Sequence, residues 1–516
     1  MFHYGKDVLT AGKALAIARG QLSATLAPDT REQVAASQRI VEHVVERGAA
    51  VYGINTGFGP LCNQTISKEN TAILQKKLLL SHSVGVGNPI DKELAKLMLI
   101  LKIHALSQGY SGIALEVLDR LLWQLEEDII PVVPEQGSVG ASGDLAPLSH
   151  LFLPLLGEGE VFYQGSRYPT TEILAKYNKE PLVLGPKAGL ALINGTQFIA
   201  AHAVLLVERF YNCLAHADLI AALMVEGLQG SNSPFNPKLH QVRPYPGSVH
   251  VAQRMDYFLR DSAIMADHKN CDRVQDPYSL RCVPQVHGAS RQAWLHLKEA
   301  VEIEINAVTD NPIVFSEEEV ISGGNFHGQP LALPLDYACL ALSELGNISD
   351  RRSYLSLEGK SPGVPKLLLA ETGVNSGFMI VQYTSAALAS ENKTLCFPAS
   401  ADSIPTSLGQ EDHVSMGSIS ARKALQVCGN VEKILAVEML CAAQAVDFQR
   451  PLSSSPVLAA VHTAIRQQIS FATEDRIFAK DIEAAWGILQ RGDLLTATAP
   501  YEASDTFIHA ALLDQF

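Results

Sequence analysis

Residues 198 to 228, FIAAHAVLLVERFYNCLAHADLIAALMVEGL, are apolar nearly all round and carry few charges. A helix without a polar face has to be buried on every side, so this segment calls for a long central helix whose neighbours are helices too. The chain supplies them. From Asp29, an N-cap with Glu32 three residues on, a helix opens whose Val34, Ser37, Val41 and Val44 share one face and which ends at Gly48. Trp294, Leu297, Val301, Ile305 and Val308 step by three and four until TDNP at 309–312 stops the pattern. Two more segments keep the period: 333–352, with Leu335, Cys339, Leu342 and Leu345, and 418–446, with Val427, Val431, Ile434 and Cys441. Period-two runs are few and short. The fold class is mainly α, a bundle of long helices.

No repeat, low-complexity tract or Gly/Ser linker divides the chain. Its character changes near Asn194, which places an N-terminal domain at 1–196 and a long-helix bundle with a C-terminal helical region at 197–516. With 516 residues the chain can bury a sizeable core. Lys and Arg number 40 against 54 Asp and Glu, a net charge of −14, and no dense basic run occurs, so neither nucleic acid nor an anionic membrane is an expected partner. Cysteines such as Cys62, Cys213, Cys271 and Cys441 are scattered without a CxxC pair and read as free thiols in a reducing cytosol. The opening MFHYGKDVLTAG lacks the basic flank and apolar core of an export signal, and no clean apolar run of about 18 residues is found, so a cytoplasmic location is expected. No HExxH, Walker A string or GxGxxG points to a metal or nucleotide cofactor.

Between the helices lie elaborate loops, and loops of that kind carry chemistry. Residues 137–149 read GSVGASGDLAPLS. At their centre Ala141, Ser142 and Gly143 form a tripeptide able to become an electrophile. Attack of the Gly143 nitrogen on the Ala141 carbonyl carbon closes a five-membered ring. Loss of one water from the ring and one from Ser142 leaves an exocyclic methylene conjugated to an imidazolone. Glycine permits the backward bend because it has no Cβ, and serine is required because its hydroxyl leaves. Asp144 follows directly, placed to hydrogen-bond the loop and move protons during cyclisation. On composition alone the same stretch reads as a flexible loop or an anion-binding nest.

In full context the segment resembles the prosthetic-group loop of the aromatic amino acid ammonia-lyases, whose cofactor is 4-methylidene-imidazol-5-one (MIO), formed autocatalytically. The loops YGINTGFG, LINGTQ, VQDPYSLRC, SGGNFHGQP and SIPTSLGQEDH extend the resemblance along the chain, nearest to the histidine-type members. It implies a fumarase/aspartase-like helical bundle, a homotetramer with active sites where subunits meet, and a small amino acid substrate. The implied reaction is that of a carbon–nitrogen lyase in histidine degradation, L-histidine giving trans-urocanate and ammonia. Breaking the weakly acidic Cβ–H bond and expelling a poor leaving group demand both an electrophile and a base.

The resemblance also assigns residues. Tyr52, in VYGINTGFG, takes the β-proton, its phenol tuned downward to act near neutral pH. Arg281 holds the substrate carboxylate with its planar fork, and Tyr278 lies near the MIO ring. Asn194 and Gln275 hydrogen-bond substrate or prosthetic group, a form of oxyanion stabilisation, and Phe326 lies beside the MIO. Ser81-His82 stands where tyrosine-selective relatives carry His-Leu, so His82 meets an imidazole. Glu411 stands where phenylalanine enzymes have an amide and gains from an imidazole that can carry charge; Met379 also matches the histidine-type pocket. Singly, each has a blander explanation: a packed tyrosine, a helix-capping asparagine, a surface ion pair. For Tyr52 the motif reverses that weighting, and the agreement of Ser81-His82, Glu411 and Met379 is informative about the substrate.

Some positions depart from the histidine-type pattern: Val283 and His287 in RCVPQVHGA, Leu408 and Gly409 in LGQEDH, Glu135 and Gln136 in PEQGS. They leave open another aryl amino acid such as tyrosine, or an aminomutase that returns ammonia to Cβ. A serine hydrolase is disfavoured because no GxSxG elbow surrounds Ser142. A catalytically silent bundle scaffold is opposed by the joint retention of Tyr52, Asn194, Tyr278, Arg281 and Glu411.

Overall fold

The computed structural model describes residues 1–47, 51, 53–54, 56, 68–267, 274–501 and 507–516; Tyr52, Cys62 and Cys271 lie outside them. Helices dominate. Among the described residues no strand exceeds four residues, and the sheets are small: Val86–Pro89 pairs antiparallel with Pro134–Gln136, and Ile130–Pro131, Glu160–Tyr163 and Ser166–Pro169 form an antiparallel trio.

The apolar segment forms the helix Gln197–Gly227. Phe198, Val204, Phe210, Leu214 and Leu223 are fully buried along it, and 72% of its most apolar window is covered by protein. It is the one helix among the described residues long and apolar enough, by length and composition, to cross a membrane. The other expected helices are Pro28–Arg47, Val283–Glu304, Gln329–Ser356 and Gly417–Asp447. Their stripes face inward as the periodicity requires, with Val34, Val41, Trp294, Leu297, Leu335, Leu342, Val431 and Ile434 at or near zero exposure.

The ends differ for local reasons. The second helix begins at Pro28, so Asp29 sits in its first turn and is not the N-cap; proline at the first helical position has its φ preset and its missing N–H is one no helix would use. The helix through Trp294 stops at Glu304, short of Val308. There the Asn306 amide donates to Glu302 O and Leu9 O and takes over the exposed end of the carbonyl ladder. Gln329–Ser356 starts before residue 333 and runs through Pro334.

The described chain forms two compact units, each built from three stretches. The first comprises Met1–Leu205, Leu297–Asp336 and Pro398–Arg422. The second comprises Leu206–His296, Tyr337–Phe397 and Lys423–Phe516.

Within the second unit three arginines and three carboxylates neutralise one another away from water. Asp218 accepts from Arg254 Nε at 2.9 Å, Arg291 Nη2 at 2.5 Å and His287 Nδ1 at 2.8 Å. Arg352 clasps Glu438 through two hydrogen bonds, and Arg291 also reaches Asp514 at 3.3 Å. His287 bridges the two halves, with its Nε2 3.4 Å from Arg352 Nη1. The neutral tautomer protonated at Nδ1 fits both contacts, and burial lowers the pKa of this histidine accordingly. Burial pushes the Asp218 carboxyl up, yet Arg291, His287 and Arg254 together hold it well below the usual carboxylate range. Asp218→Asn leaves buried guanidinium charge uncompensated. It is expected to cost about 3–5 kcal/mol, read as an earlier onset of urea unfolding by circular dichroism.

Candidate active site

The strand Pro134–Gln136 delivers the chain to residues 137–144, and the helix Leu145–Phe152 leaves them. The loop between is bolted down on two sides. On one side Met416 N donates to Val139 O at 2.9 Å, Ser418 Oγ to Ser138 O at 2.6 Å and Ser415 Oγ to Gly140 O at 3.2 Å. Ala141 packs there with Val414 and Met416. On the other side Gly143 bridges Gly195, and Asp144 N donates to Gly195 O at 2.7 Å. Gly143 has φ +74°, and a Cβ there would lie 2.1 Å from Gly195 O. Only glycine fits this position, by conformation and by space alike.

Asp144 does not cap the helix it precedes. Its buried carboxylate accepts from Phe198 N and Ile199 N, both at 3.0 Å, in the first turn of Gln197–Gly227, and from Ser138 Oγ at 3.2 Å. Burial outweighs the pull of these three donors and raises this carboxyl to about 7.

A cavity of about 510 Å³ opens beside the loop, with His82, Ala141, Ser142, Asn194, Phe326 and Glu411 among its walls. Six residues expected from the sequence therefore meet in one place within the first unit. Ser142 Oγ donates to Glu411 Oε1 at 2.8 Å, and the other carboxylate oxygen accepts from Thr406 Oγ1 and Ser407 Oγ, each at 2.8 Å. His82 ends the helix Lys68–His82, and its Nδ1 lies 2.9 Å from Leu78 O. That contact assigns the proton to Nδ1, and Nε2 has no partner among the described residues. Burial lowers the His82 pKa, against the Leu78 hydrogen bond and the charge of Glu411. Asn194 follows the helix Ala188–Ile193; its Oδ1 is buried with no hydrogen-bond partner among the described residues. A buried amide oxygen without a partner is costly and marks a place where a ligand is expected.

Four expected residues belong to the second unit. Gln275 and Tyr278 are exposed there, Tyr278 by 71%, and the Arg281 guanidinium lies 4.6 Å over the Tyr278 ring. Met379 opens the helix Met379–Leu395 and is exposed. Tyr52 lies outside the described residues. Of the departures, His287 belongs to the buried charge network, Val283 is fully buried, and Leu408 is 96% exposed beside Gly409 at φ +86°. Glu135 and Gln136 pair with Val86–Pro89.

Sequence reasoning missed Thr406 and Ser407, which orient Glu411, and His327 and His413, stacked 5.6 Å apart in the cavity wall. It also missed Lys102, whose ammonium donates to Asn194 O. A single charge inside LMLILKIHAL was the available signal. Gly143→Ala is expected to unseat residues 137–144 from Gly195 and to raise amide exchange there at least about tenfold, a loss of roughly 1.4 kcal/mol of local protection. Gly165→Ala, at φ +81° with nothing near its Cβ, is the control that leaves the loop unchanged.

Comparison with known proteins is consistent along the chain. Residues 9–467 match the family model described as aromatic amino acid lyase. A histidine ammonia-lyase from Myxococcus xanthus is 46% identical over 492 residues, 95% of this chain and 97% of that one. Among solved structures, histidine ammonia-lyase from Trypanosoma cruzi superposes with a TM-score of 0.91 at 38% identity, covering 100% of this chain and 98% of that chain. Tyrosine aminomutase from Streptomyces globisporus gives 0.91 at 35% identity, covering 98% and 99%. The mainly helical fold expected from the sequence is that of these structures.

Proposed function

The chain belongs to the aromatic amino acid lyase family, and from that premise we propose that it is a histidine ammonia-lyase, converting L-histidine to trans-urocanate and ammonia without oxidation. The observation that carries this reading is the presence of His82 and Glu411 in the same cavity as Ala141 and Ser142. A neutral imidazole whose Nε2 has no partner among the described residues, and a carboxylate held on one oxygen by Thr406 and Ser407 and freed on the other once Ser142 loses its hydroxyl, suit an imidazole substrate, which can both donate and accept.

The tripeptide Ala141-Ser142-Gly143 fits formation of MIO. Gly143 lies in the left-handed region with no space for a side chain, and Asn194, whose Oδ1 has no partner among the described residues, shares the cavity with Ser142. Once formed, the group supplies an electrophilic methylene that turns the substrate amine into a better leaving group. The remaining work falls to side chains. Asn194 donates its amide hydrogens where negative charge builds, Glu411 and His82 orient the imidazole, and Phe326 walls the cavity. Arg281 takes the substrate carboxylate, with Gln275 and Tyr278 beside it. Tyr52 accepts the proton from Cβ.

We read the protein as a cytoplasmic homotetramer with shared sites. The exposure of Gln275, Tyr278 and Met379 on a single chain supports this, since residues that bind substrate only between copies are open on an isolated one. Native mass spectrometry is expected to give four copies.

The purified protein, offered L-histidine, L-tyrosine and L-phenylalanine separately, is expected to yield only the ultraviolet absorption of urocanate, and its intact mass to be lower than the sequence mass by two waters. Coumarate or β-tyrosine from tyrosine, with no urocanate, replaces the substrate while keeping the family. Ser142→Ala is expected to abolish both the mass deficit and turnover. Glu411→Gln is expected to keep the deficit and lose about 10- to 100-fold in kcat/KM for histidine, the worth of one charged hydrogen bond.

A further inference from the structure

Lys102 stands in the helix Lys92–Leu106, where every residue from Leu97 to Leu106 is buried, and is itself only 1% exposed. Enclosing an ammonium costs several kcal/mol unless it is compensated, and a methionine would fill a similar volume at no such cost. Lys102 nevertheless makes one hydrogen bond among the described residues, from Nζ to the main-chain oxygen of Asn194. The charges around it are Asp310, Lys187 and Asp144. Lys187 is committed elsewhere, since its Nζ lies 2.5 Å from Asp310 Oδ2 and both side chains are buried. Asp144 is committed to Phe198 N, Ile199 N and Ser138. Lys102 is thus the member of the group that reaches the Asn194 main chain.

Its target is the turn that leaves Ala188–Ile193, a helix end where a cation is favoured by the carbonyl dipoles. The two successive carbonyls of this turn are held from different directions, Asn194 O by Lys102 and Gly195 O by Asp144 N. With both oxygens fixed, the successive peptide groups Asn194–Gly195 and Gly195–Thr196 are each held in one orientation. That orientation sets Gly195 against Gly143 and leaves the Asn194 side chain in the cavity wall, its oxygen without a partner among the described residues. Burial lowers the Lys102 pKa to about 7, in keeping with an ammonium retained at a cost in solvation.

We propose that Lys102 is a positioning residue of this site, clamping the Asn194–Gly195 peptide so that the Asn194 amide meets the substrate or the prosthetic group. This rests on the histidine ammonia-lyase reading for its activity readout. Its structural readout stands independently of that reading.

The test is a double-mutant cycle in the full-length protein with hydrogen exchange alongside. Lys102→Met is expected to lower kcat by about 10- to 100-fold with KM changed less than about threefold, the pattern for loss of an interaction felt mainly in the transition state. In an Asn194→Ala background the same substitution is expected to lower kcat less than about twofold further, because the lysine acts through the asparagine. Amide exchange is expected to accelerate in the peptide covering 190–199 and to stay unchanged in the remote helix Pro456–Arg466. Lys102→Gln, which keeps a neutral donor, serves if the methionine variant does not fold, with an intermediate kcat expected. Equal losses of kcat in the two backgrounds, or exchange that is unaltered at 190–199 or raised everywhere, would overturn the proposal. Wild-type protein that makes no urocanate would overturn the substrate reading alone, and the exchange data would still decide for or against the clamp.

Discussion

The hydrogen bonds from the first turn of Gln197–Gly227 to Asp144 are the constraint from which the site follows. The first N–H groups of a helix have no partner within it and carry partial positive charge. Here two of them, Phe198 N and Ile199 N, close on a buried carboxylate from the neighbouring loop. That contact fastens the glycine-rich segment 137–144 to the most apolar element of the chain. Once Asp144 is fixed, its own N–H meets Gly195 O and Gly143 is pressed against Gly195. Ser142 and Asn194 then share one cavity wall. Desolvation opposes the arrangement by favouring the protonated acid. Two helix N–H donors and a serine hydroxyl argue for the anion, and we favour it because those donors are fixed by the backbone and by a turn.

The fold was largely legible because its main elements depend on burial, and burial is written in periodicity. Leu335, Cys339, Leu342 and Leu345 fall on one face in sequence and are buried in the structure. Helix ends were less legible, because they are decided by single polar contacts. Nothing in the pattern around Val308 announces that Asn306 caps Glu302 O. In the site, the residues found from sequence sit in loops whose glycines and asparagines have few other uses. Thr406, Ser407 and Lys102 escaped because a hydroxyl or an ammonium gains its meaning from the oxygen it meets, which for Lys102 is 92 residues away. His287 was visible as a departure, but its partner Asp218, 69 residues away, was not.

The two groups of buried charge are built for different ends. Around Asp218 three cations meet three anions, with His287 neutral between them, and Arg291 Nε is left without a partner among the described residues. Such a network stiffens what it joins. Around Asn194 the set is left open, for Asn194 Oδ1 and Gln197 Oε1 are buried without partners among the described residues. The first set pairs its charges with one another, whereas the second leaves two acceptor oxygens for a donor from outside the set.

The apolar helix has a further consequence, for the order in which the protein is made. The part of it that belongs to the second unit packs late in the chain: Gly227 lies against Ala445 and Val446, and its carbonyl accepts from Gln449, 222 residues on. A ribosome therefore releases this oily stretch long before the residues that cover it exist. At translation rates of about 5–20 residues per second the wait is on the order of ten seconds or more. Through that interval the nascent chain carries an uncovered hydrophobic rod, which makes it a natural client for chaperones and prone to self-association when expressed in excess.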